Sequence, residues 1–294
     1  MKWIDSCLNS LIQSEYSTNV IIVDNNSTDG TAEKIEREFP ECELIKKTEN
    51  LGFAKANNIG IKKALAAGAE YIFLLNHDAW VKNDTIQTLV RIAKKHQKCG
   101  ILSPMHLNGS GSKLDFLFST YIQAGQCPGL LSDLYLRQEK EYYPIDNVNA
   151  AAWLVHRNLF LQIGLFDPLF HVYGEDNNFV NRVHHFGYEL GVTPKASIYH
   201  DREYRSNKLK DENRSYQDQK RRMLVIALNP NQTPIQRIFT LFRKIMSDVM
   251  RNLQSLRIGI ALRNITVFFQ GIFYSFKYRN RHLIVKKELQ LAIG

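Results

Sequence analysis

Side chains that can bind a cation stand in one short segment of this 294-residue sequence, directly after an apolar run. The run covers residues 71–75, and Asn76, His77 and Asp78 follow it. An apolar run of this length is typical of a strand that is covered on both faces. Strands of an open α/β sheet deliver the residues at their carboxyl ends to the crevice where ligands bind. The segment therefore predicts a ligand site with oxygen and imidazole donors at one edge of a sheet.

Further acidic residues stand at the ends of other predicted elements. Asp24 follows the apolar run 20–23 and precedes a segment that is dense in turn residues. Glu175 and Asp176 follow Gly174 and open a predicted helix. A carboxylate in the first turn of a helix interacts favourably with the helix dipole, so we expect these acids to stay ionised.

The elements that position these residues alternate between strands and helices. The first five are strand 20–24, helix 31–39, strand 43–45, helix 54–67 and strand 71–75. The order β-α-β-α-β predicts a parallel sheet with right-handed crossovers, and hence the α/β class. The later elements are helix 84–97, strand 100–102, an irregular segment 105–146, strand 148–155, helices 156–164 and 175–186, and strand 196–199. An irregular segment of that length inside a domain predicts a functional loop.

The C-terminal part of the chain is basic, while the rest is close to neutral. Residues 202–294 contain 19 Lys and Arg against 6 Asp and Glu. The pattern there is helical, with apolar residues at Ile235, Ile238, Phe242, Ile245, Val249, Leu253 and Leu256. The apolar stretch 258–276 contains Arg263, Asn264 and Gln270, which suits a helix in a membrane interface better than a spanning helix. The charge predicts an anionic partner for this part of the chain.

The remaining composition favours a cytoplasmic protein. Four cysteines form neither a CxxC pair nor a zinc pattern, which is typical of a reducing compartment. Residues 1–19 are broken by Lys2, Asp5 and Glu15 and predict an amphipathic helix rather than a signal peptide. No nucleic-acid recognition motif accompanies the basic residues, so we do not expect nucleic acid as a partner.

Four sequence blocks occur in order: IIVDNNSTDGT (21–31), NLGFAKANNIGI (50–61), LLNHDAWV (74–81) and GLFDPLFHVYGEDNNFVNRVHHFGY (164–188), with SIYH (197–200) after them. Together they resemble the family 2 inverting glycosyltransferases of GT-A fold, in particular bacterial rhamnosyltransferase-like enzymes of surface polysaccharide synthesis. The resemblance covers about residues 3–205. It implies a Rossmann-like, mostly parallel sheet, a nucleotide-sugar donor, Mg²⁺ or Mn²⁺, and direct displacement at the anomeric carbon of the donor.

The resemblance also implies roles for residues on the donor side. It places donor contacts at Asp24, Asn50, Gly52, Asn57 and Asn76, and metal ligands at Asp78 and His200. Each role has a plain structural alternative. Asp24 and Asp78 could cap the turns that follow their strands, the amides could fix their own loop, and His200 could be a structural residue.

On the acceptor side, the resemblance implies that Asp176 is the general base that takes the proton from the acceptor hydroxyl. Glu175, Trp153 and Tyr173 would contact the acceptor, which would be a glycan or a polyprenyl-linked glycan. Helix capping is the alternative for Asp176, and core packing is the alternative for Trp153.

The expected organisation is a GT-A catalytic domain over residues 1–205 and a basic amphipathic helical extension over 206–294. Within the domain we expect a donor half over 1–105 and an acceptor half over 106–205. The extension predicts peripheral association with the anionic inner face of the cell membrane.

Two departures from the family pattern leave alternatives open. The strand that normally precedes the helix starting at Trp3 is absent, and Asn76 stands where an Asp-x-Asp motif has its first acid. A truncated, inactive paralogue that acts as a binding subunit would account for the first departure. A sugar-nucleotide pyrophosphorylase would need a Gly-rich first loop with a basic residue, which this sequence lacks.

Overall fold

The computed structural model of the chain describes residues 1–171, 173–202, 212–254 and 258–293. Its helices are α1 (Ile4–Ile12), α2 (Thr31–Glu38), α3 (Gly52–Ala66), α4 (Thr85–Lys95), α5 (Phe116–Tyr121), α6 (Leu130–Leu136), α7 (Arg157–Ile163), α8 (Glu175–His185), α9 (Glu212–Ala227), α10 (Pro234–Gln254), α11 (Ile258–Lys277) and α12 (Arg281–Ile293). Its strands are β1 (Ile21–Asp24), β2 (Glu43–Lys46), β3 (Tyr71–Leu75), β4 (Ala79–Val81), β5 (Cys99–Asn108), β6 (Tyr143–Pro144), β7 (Ala152–His156) and β8 (Glu189–His200). The expected domain boundary after residue 205, and Leu256 of the expected apolar stripe, lie outside the described residues.

The described strands form one pair and one six-stranded sheet. β1 and β2 run parallel, with Val23 opposite Ile45. The larger sheet has the order β3-β7-β5-β8-β4, and β6 also pairs with β8. In it, β3, β5 and β8 share one direction, while β4, β6 and β7 are antiparallel to their neighbours. The α/β class and the parallel β1–β2 pair are as predicted, whereas β3 is hydrogen-bonded to β7 and belongs to the other sheet.

The six-stranded sheet is covered on both faces, which explains the continuous apolar runs of its strands. Ile72 of β3 points to a core that it shares with Ile61 of α3 and Phe179 of α8. The neighbouring Phe73 packs on the opposite face, against the cluster around Leu89 of α4. Successive residues of a strand therefore serve different helix layers, as the period of two requires.

Several element boundaries differ from the expectation. The predicted strand 196–199 is the end of the twelve-residue β8, and the predicted strand 148–155 begins only at Ala152. The segment 105–146 holds the end of β5, two short helices and β6 rather than one irregular loop. Short elements such as α5 and α6 carry too few periods to be recognised from the pattern alone.

The predicted C-terminal helices form a small bundle that returns to the α/β body. α9, α10 and α11 enclose a separate core of Met223, Ala227, Leu241, Ile245, Val249 and Val267. α12 packs against α7 and α3. There Arg281 donates from Nε to Oδ2 of Asp167 over 3.0 Å and from Nη2 to Oδ1 over 2.9 Å. The Asp167 side chain is almost fully buried, so this ion pair fixes α12 to the body.

Candidate active site

The turn after β3 brings Asp78 against the end of β8. The amide of Ala79 donates to the carbonyl of Asn76 over 3.1 Å and closes the turn. β4 then pairs antiparallel with β8, with Ala79 opposite His200, and the amide of Asp201 donates to the carbonyl of Asp78 over 2.9 Å. Oδ1 of Asp78 consequently lies 3.3 Å from Nε2 of His200. The structure thus brings together the two side chains that the resemblance names as metal ligands.

The facing atoms of Asp78 and His200 are buried, and neither makes a well-aligned hydrogen bond within the described part of the chain. Burial disfavours the charged form of Asp78, but His200 and then His77 outweigh this effect, and the pKa of Asp78 lies below its ordinary value. Buried polar atoms without a partner cost free energy. An ionised carboxylate and an imidazole that face each other in this way are suited to a third group that binds both.

The pair fits a divalent cation that arrives together with a substrate. Among the described residues, no three His, Cys, Asp or Glu side chains stand close enough to hold a metal ion. A cation between Asp78 and His200 would therefore take only two ligands from these side chains. Mg²⁺ is commonly bound in this way, through one or two carboxylates plus the phosphate oxygens of a substrate.

A second buried histidine lies next to His200. The ring of His106 on β5 is 6.0 Å from the ring of His200, and it stacks on Phe118 at 4.3 Å. Burial, and then the charges of His200 and Arg202, hold the pKa of His106 well below its ordinary range. His106 is therefore neutral at neutral pH and adds no charge to the site.

The second group of acids stands at the start of α8. Gly174 precedes the helix with a φ of 94°, and Glu175 and Asp176 form its first turn. Oδ1 of Asp176 accepts from the backbone amide and from Nδ2 of Asn177, over 2.8 and 3.1 Å. Asn147 in turn donates to Oδ1 of Asn177 over 2.7 Å. This chain of amides holds the Asp176 carboxylate in one orientation.

Both acids of α8 have a raised pKa. Burial raises the pKa of Asp176 above its ordinary value, although hydrogen bonds from Asn177 oppose the shift. Burial, and then the neighbouring Asp176 charge, raise the pKa of Glu175 to about 7. Oε2 of Glu175 is buried and has no hydrogen-bond partner within the described ranges. The expectation that the helix dipole keeps both acids ionised is therefore wrong for Glu175, because loss of solvation outweighs the dipole.

The segment before β7 connects the two groups of polar residues. The amide of Asn76 donates to the carbonyl of Ala151 over 2.9 Å. In the same segment, Asn147 donates to Oδ1 of Asn177 on α8. Tyr121 of α5 lies within electrostatic reach of Asp176 and of Arg202, which stands two residues after His200: burial raises the pKa of Tyr121, the Asp176 charge raises it further, and the Arg202 charge lowers it. The Asp78–His200 pair and the α8 acids therefore lie at the same end of the sheet.

On the donor side, the predicted residues serve the local backbone. Oδ2 of Asp24 accepts from the amide of Ser27 over 3.2 Å, which is the turn-capping role, and Asp24 is largely buried. Oδ1 of Asn50 accepts from Nδ2 of Asn25 over 3.0 Å and from the amide of Gly52 over 2.9 Å. Loop fixing, the structural alternative, therefore describes Asn50 in this structure.

Gly52 and Asn57 also make contacts within the protein. Gly52 has a φ of 79°, and a Cβ at this position would collide with the backbone carbonyl of His171. The lack of a side chain at Gly52 thus lets the backbone of His171 approach closely, whereas the resemblance implied a contact with the donor at this position. Nδ2 of Asn57 donates to the carbonyl of Phe53 over 3.0 Å, inside α3.

The two aromatic residues of the predicted acceptor side have opposite environments. Trp153 is 0% exposed and packs against Phe166 and Phe179 in the main core. The expectation that it offers a ring face to a sugar is wrong for this structure, and core packing describes it. Tyr173 is 59% exposed, with the guanidinium of Arg221 5.2 Å above its ring centre.

Arg221 of α9 is a site residue that the sequence did not single out. Besides its place over Tyr173, its charge opposes the rise in the pKa of Glu175. It also donates to Oδ1 of Asp218 over 2.8 Å. In the sequence, Arg221 is marked only by its place in the basic run 220–222. The packing of α9 against α8 is what shows that Arg221 lies near the α8 acids.

A comparison with known protein families shows which of the enzyme classes allowed by this geometry the chain belongs to. The family described as Glycosyl transferase family 2 matches residues 2–164, which is more than half of the chain. The chain belongs to this family. Membership supports glycosyltransferase activity and confirms the resemblance drawn from the four sequence blocks. The match includes the turn that carries Asp78 and ends before α8.

Curated relatives include two rhamnosyltransferases. The N-acetylglucosaminyl-diphospho-decaprenol L-rhamnosyltransferase of Mycobacterium tuberculosis is 25% identical over an alignment of 216 positions, and the match covers 64% of this chain and 68% of that protein. The dTDP-rhamnosyl transferase RfbF of Shigella flexneri is 23% identical over 195 residues, or 66% of this chain and 64% of that protein. The rhamnosyltransferase-like character expected from the sequence is thereby confirmed at low identity.

Solved structures of two glycosyltransferases share the fold. The mannosyltransferase PcManGT of Pyrobaculum calidifontis, in complex with GDP-Man and Mn²⁺, gives a TM-score of 0.53 at 18% identity over 82% of this chain. GalNAc-T7 with UDP, GalNAc and Mn²⁺ gives 0.56 at 15% identity over 77% of this chain. The chain covers 61% and 45% of those two proteins, less than two thirds of their own length. These matches confirm the GT-A fold with helices at the C-terminus.

Proposed function

We propose that this protein is a metal-dependent inverting glycosyltransferase that moves a rhamnosyl or other hexosyl group from a nucleotide sugar to a saccharide or lipid-linked saccharide. The observation that carries the proposal is the pair Asp78 and His200, whose facing atoms are buried, lack other hydrogen-bond partners among the described residues, and lie at the same sheet end as the α8 acids. Family membership and the rhamnosyltransferase relatives support the reaction class. The names of two relatives support a nucleotide-linked donor and a polyprenyl-linked acceptor.

In the proposed reaction, Asp176 takes the proton of the acceptor hydroxyl. The hydroxyl oxygen forms a bond to the anomeric carbon, and the bond from that carbon to the donor diphosphate breaks with inversion. The electron pair of the broken bond leaves with the nucleoside diphosphate. A base must be deprotonated and within hydrogen-bond reach of the hydroxyl. Its raised pKa makes Asp176 a better proton acceptor than an ordinary aspartate.

Asp78 and His200 would hold Mg²⁺ or Mn²⁺. Such a cation supplies positive charge to the diphosphate oxygens, where negative charge develops as the donor bond breaks. The two solved relatives that contain Mn²⁺ support a divalent cation in this fold. The lowered pKa of Asp78 supports its role, because the carboxylate is ionised before a cation binds.

The remaining predicted residues complete the proposal. Asp24, Asn50, Gly52, Asn57 and Asn76 would form the donor side within residues 1–105. Glu175 and Tyr173 would contact the acceptor within residues 106–205, and the expected stacking by Trp153 is not part of the proposal. Residues 206–294 would form the extension that binds the inner face of the cell membrane, where a lipid-linked acceptor is available.

A transfer assay with purified full-length protein tests this proposal. Candidate donors are dTDP-rhamnose, UDP-N-acetylglucosamine and GDP-mannose, and the acceptor is a polyprenyl-diphosphate-linked N-acetylglucosamine. We expect release of nucleoside diphosphate with Mg²⁺ or Mn²⁺ and none after chelation with EDTA. Asp78→Ala should abolish release, whereas Asp84→Ala, at an exposed acid outside the site, should not.

Two results would contradict the proposal. Full activity in EDTA would remove the metal from the reaction. Donor binding without turnover for every donor and acceptor would favour the alternative, a binding subunit that lacks catalysis.

A further inference from the structure

Two helices of the extension leave a long apolar surface without a partner in the described part of the chain. We define the α10–α11 face by the exposed apolar side chains of Phe239, Phe242, Met246, Met250 and Leu253 on α10, and of Leu262, Ile265, Phe269, Phe273 and Phe276 on α11. Phe269 is 64% and Phe273 is 59% exposed. Monomeric soluble proteins rarely expose a contiguous apolar surface of this extent, and where they do it marks an interaction site.

The face is a regular product of the two helices. Its members follow the spacing three, four, four and three along both helices, so each set forms one stripe about 21 Å long. Each helix also buries a second stripe in the bundle core, represented by Leu241 on α10 and Val267 on α11. Both helices are therefore apolar well beyond what their packing in the bundle requires.

The two stripes join into one surface. The ring centre of Phe242 on α10 is 6.0 Å from that of Phe268 on α11, and Phe268 is 5.7 Å from Phe269. Phe268 itself is half-buried and contributes to the bundle core. Aromatic contacts thus bridge the gap between the helices, and the exposed stripes form a continuous layer.

Cationic side chains accompany this layer. The guanidinium of Arg243 lies 5.9 Å from the ring centre of Phe239, and the ammonium of Lys277 lies 5.4 Å from that of Phe273. Residues 202–294 as a whole contain 19 Lys and Arg against 6 Asp and Glu. Aromatic and aliphatic groups on one face with Arg and Lys beside them are the composition of a helix that lies in a lipid interface.

We propose that the α10–α11 face inserts into the surface of an anionic lipid bilayer. The proposal rests on the proposed function in its choice of a lipid partner, and it identifies the surface that makes the contact. A second copy of the chain is the less favourable occupant, because a two-fold contact through this face would bring Arg243 and Lys277 against like charges. None of the described helices combines the length and the apolar run needed to cross a membrane.

The bundle that carries the face also contacts the α8 helix. Nδ2 of Asn231 donates to the carbonyl of Asn181 on α8 over 2.7 Å, and Arg221 lies over Tyr173. The extension is therefore connected to the helix that bears Asp176. Insertion of the α10–α11 face would hold the acceptor side of the site at the lipid surface.

Co-sedimentation of the full-length protein with vesicles tests the face directly. One set of vesicles is pure phosphatidylcholine, and the other contains one part phosphatidylglycerol to two parts phosphatidylcholine. We expect binding to the anionic vesicles that weakens as salt rises. The double variant Phe269→Ser/Phe273→Ser should bind at least about tenfold more weakly, because two exposed rings no longer enter the interface.

The control removes two exposed apolar side chains elsewhere. Tyr135→Ser/Leu136→Ser changes residues of 88% and 57% exposure at the end of α6 and should bind like the wild type. Arg243→Gln/Lys277→Gln should lose about fivefold for each charge on anionic vesicles. This second variant leaves the apolar stripe intact and keeps the test decisive if the serine variant fails to fold.

Three outcomes would overturn the inference. The first is that the wild type binds neutral and anionic vesicles equally well. The second is that both face variants bind anionic vesicles as tightly as the wild type. The third is that the wild type is a dimer that does not bind vesicles and that dissociates when Phe269 and Phe273 are replaced by serine. The vesicles contain neither donor nor acceptor, so their binding does not depend on catalysis. Transfer to a detergent-solubilised acceptor separately reports the proposed activity and should be unchanged in the face variants.

Discussion

At the scale of single residues, the site contains acids whose pKa values are shifted in opposite directions by their surroundings. His200 holds the pKa of Asp78 below its ordinary value, whereas burial raises the pKa of Asp176 and of Glu175. An acid that stays ionised is suited to binding a cation, and an acid with a raised pKa is suited to accepting a proton. The environments therefore agree with the division of roles in the proposed function.

Replacement of Asp176 by Asn tests the proton-accepting role. The amide keeps an oxygen that can accept the hydrogen bonds of Asn177, so we expect the fold and donor binding to persist. It cannot take up a proton, and the transfer rate should fall by about 10²–10⁴-fold. Rates of single turnover, with donor affinity measured separately, would show this.

The matched control for this variant is Asp133→Asn. Asp133 lies on α6 and accepts a hydrogen bond from the hydroxyl of Tyr143 on β6. Its transfer rate should stay near that of the wild type. Equal rates for Asp176→Asn and the wild type would assign the base to another residue.

Glu175 predicts a specific dependence of stability on pH. Folding raises its pKa from 4.5 to about 7, so the folded chain holds this proton more tightly than the unfolded chain. The resulting stability is complete at low pH and is lost as pH rises from about 4.5 to about 7, by up to about 3 kcal/mol. Glu175→Gln has no proton to lose. Urea unfolding of both proteins at about pH 4.5 and about pH 8 should show the wild type losing stability relative to the variant as pH rises. A constant difference would contradict the raised pKa.

At the scale of elements, the start of α3 is defined by a contact with the loop before α8. Gly52 occupies the left-handed region, and the amide of Phe53 donates to the carbonyl of His171 over 3.2 Å. The second sequence block and the fourth block therefore meet at this point. A side chain at position 52 would separate them.

A comparison of two glycines measures this contact. Gly52 and Gly68 have nearly the same φ, 79° and 81°, but a Cβ at Gly68 would meet nothing within 4 Å. Gly68→Ala should lower the free energy of unfolding by about 1 kcal/mol through backbone strain alone. Gly52→Ala should cost about 2 kcal/mol more, because the His171 backbone must move. Equal losses in urea unfolding would show that the contact is unimportant.

At the scale of the whole molecule, α12 fixes the C-terminal helices to the α/β body. The buried Asp167 carboxylate receives Arg281, and backbone atoms of Val285 lie where a Cβ of Gly164 would stand. Arg182 of α8 donates to the carbonyls next to this point, at Ile163 over 2.6 Å. The C-terminal helices and the helix of the proposed base are thus packed around the same loop.

Arg281→Met should destabilise the whole protein, because it removes the ion-pair partner of the buried Asp167 carboxylate. We expect a loss of about 3 kcal/mol in the free energy of unfolding. Lys63→Met is the matched control, since it removes an ion pair with Glu43 in which both side chains are about half exposed. An exposed pair of this kind contributes about 0.5 kcal/mol. Similar losses for the two variants would mean that Asp167 does not depend on α12.

The sequence by itself determined the local elements and the family. Apolar runs bounded by turn residues located β1 and β3, helical periodicity located α3, α8 and the C-terminal helices, and four blocks in order identified the glycosyltransferase class. These features depend on residues close together in the chain, so periodicity and turn chemistry reveal them. The short helices within 105–146 escaped because they contain too few turns for a pattern to form.

Only the tertiary structure decided which residues share an environment. The approach of Asp78 to His200 depends on pairing of β4 with β8, and the position of Arg221 depends on packing of α9. The burial of Trp153, and the burial that makes the largest contribution to the raised pKa of Glu175, follow from neighbours distant in the chain. The exposure of the α10–α11 face also depends on tertiary packing. An apolar stripe is visible in sequence, but whether another element covers it is settled by long-range packing, which local pattern does not encode.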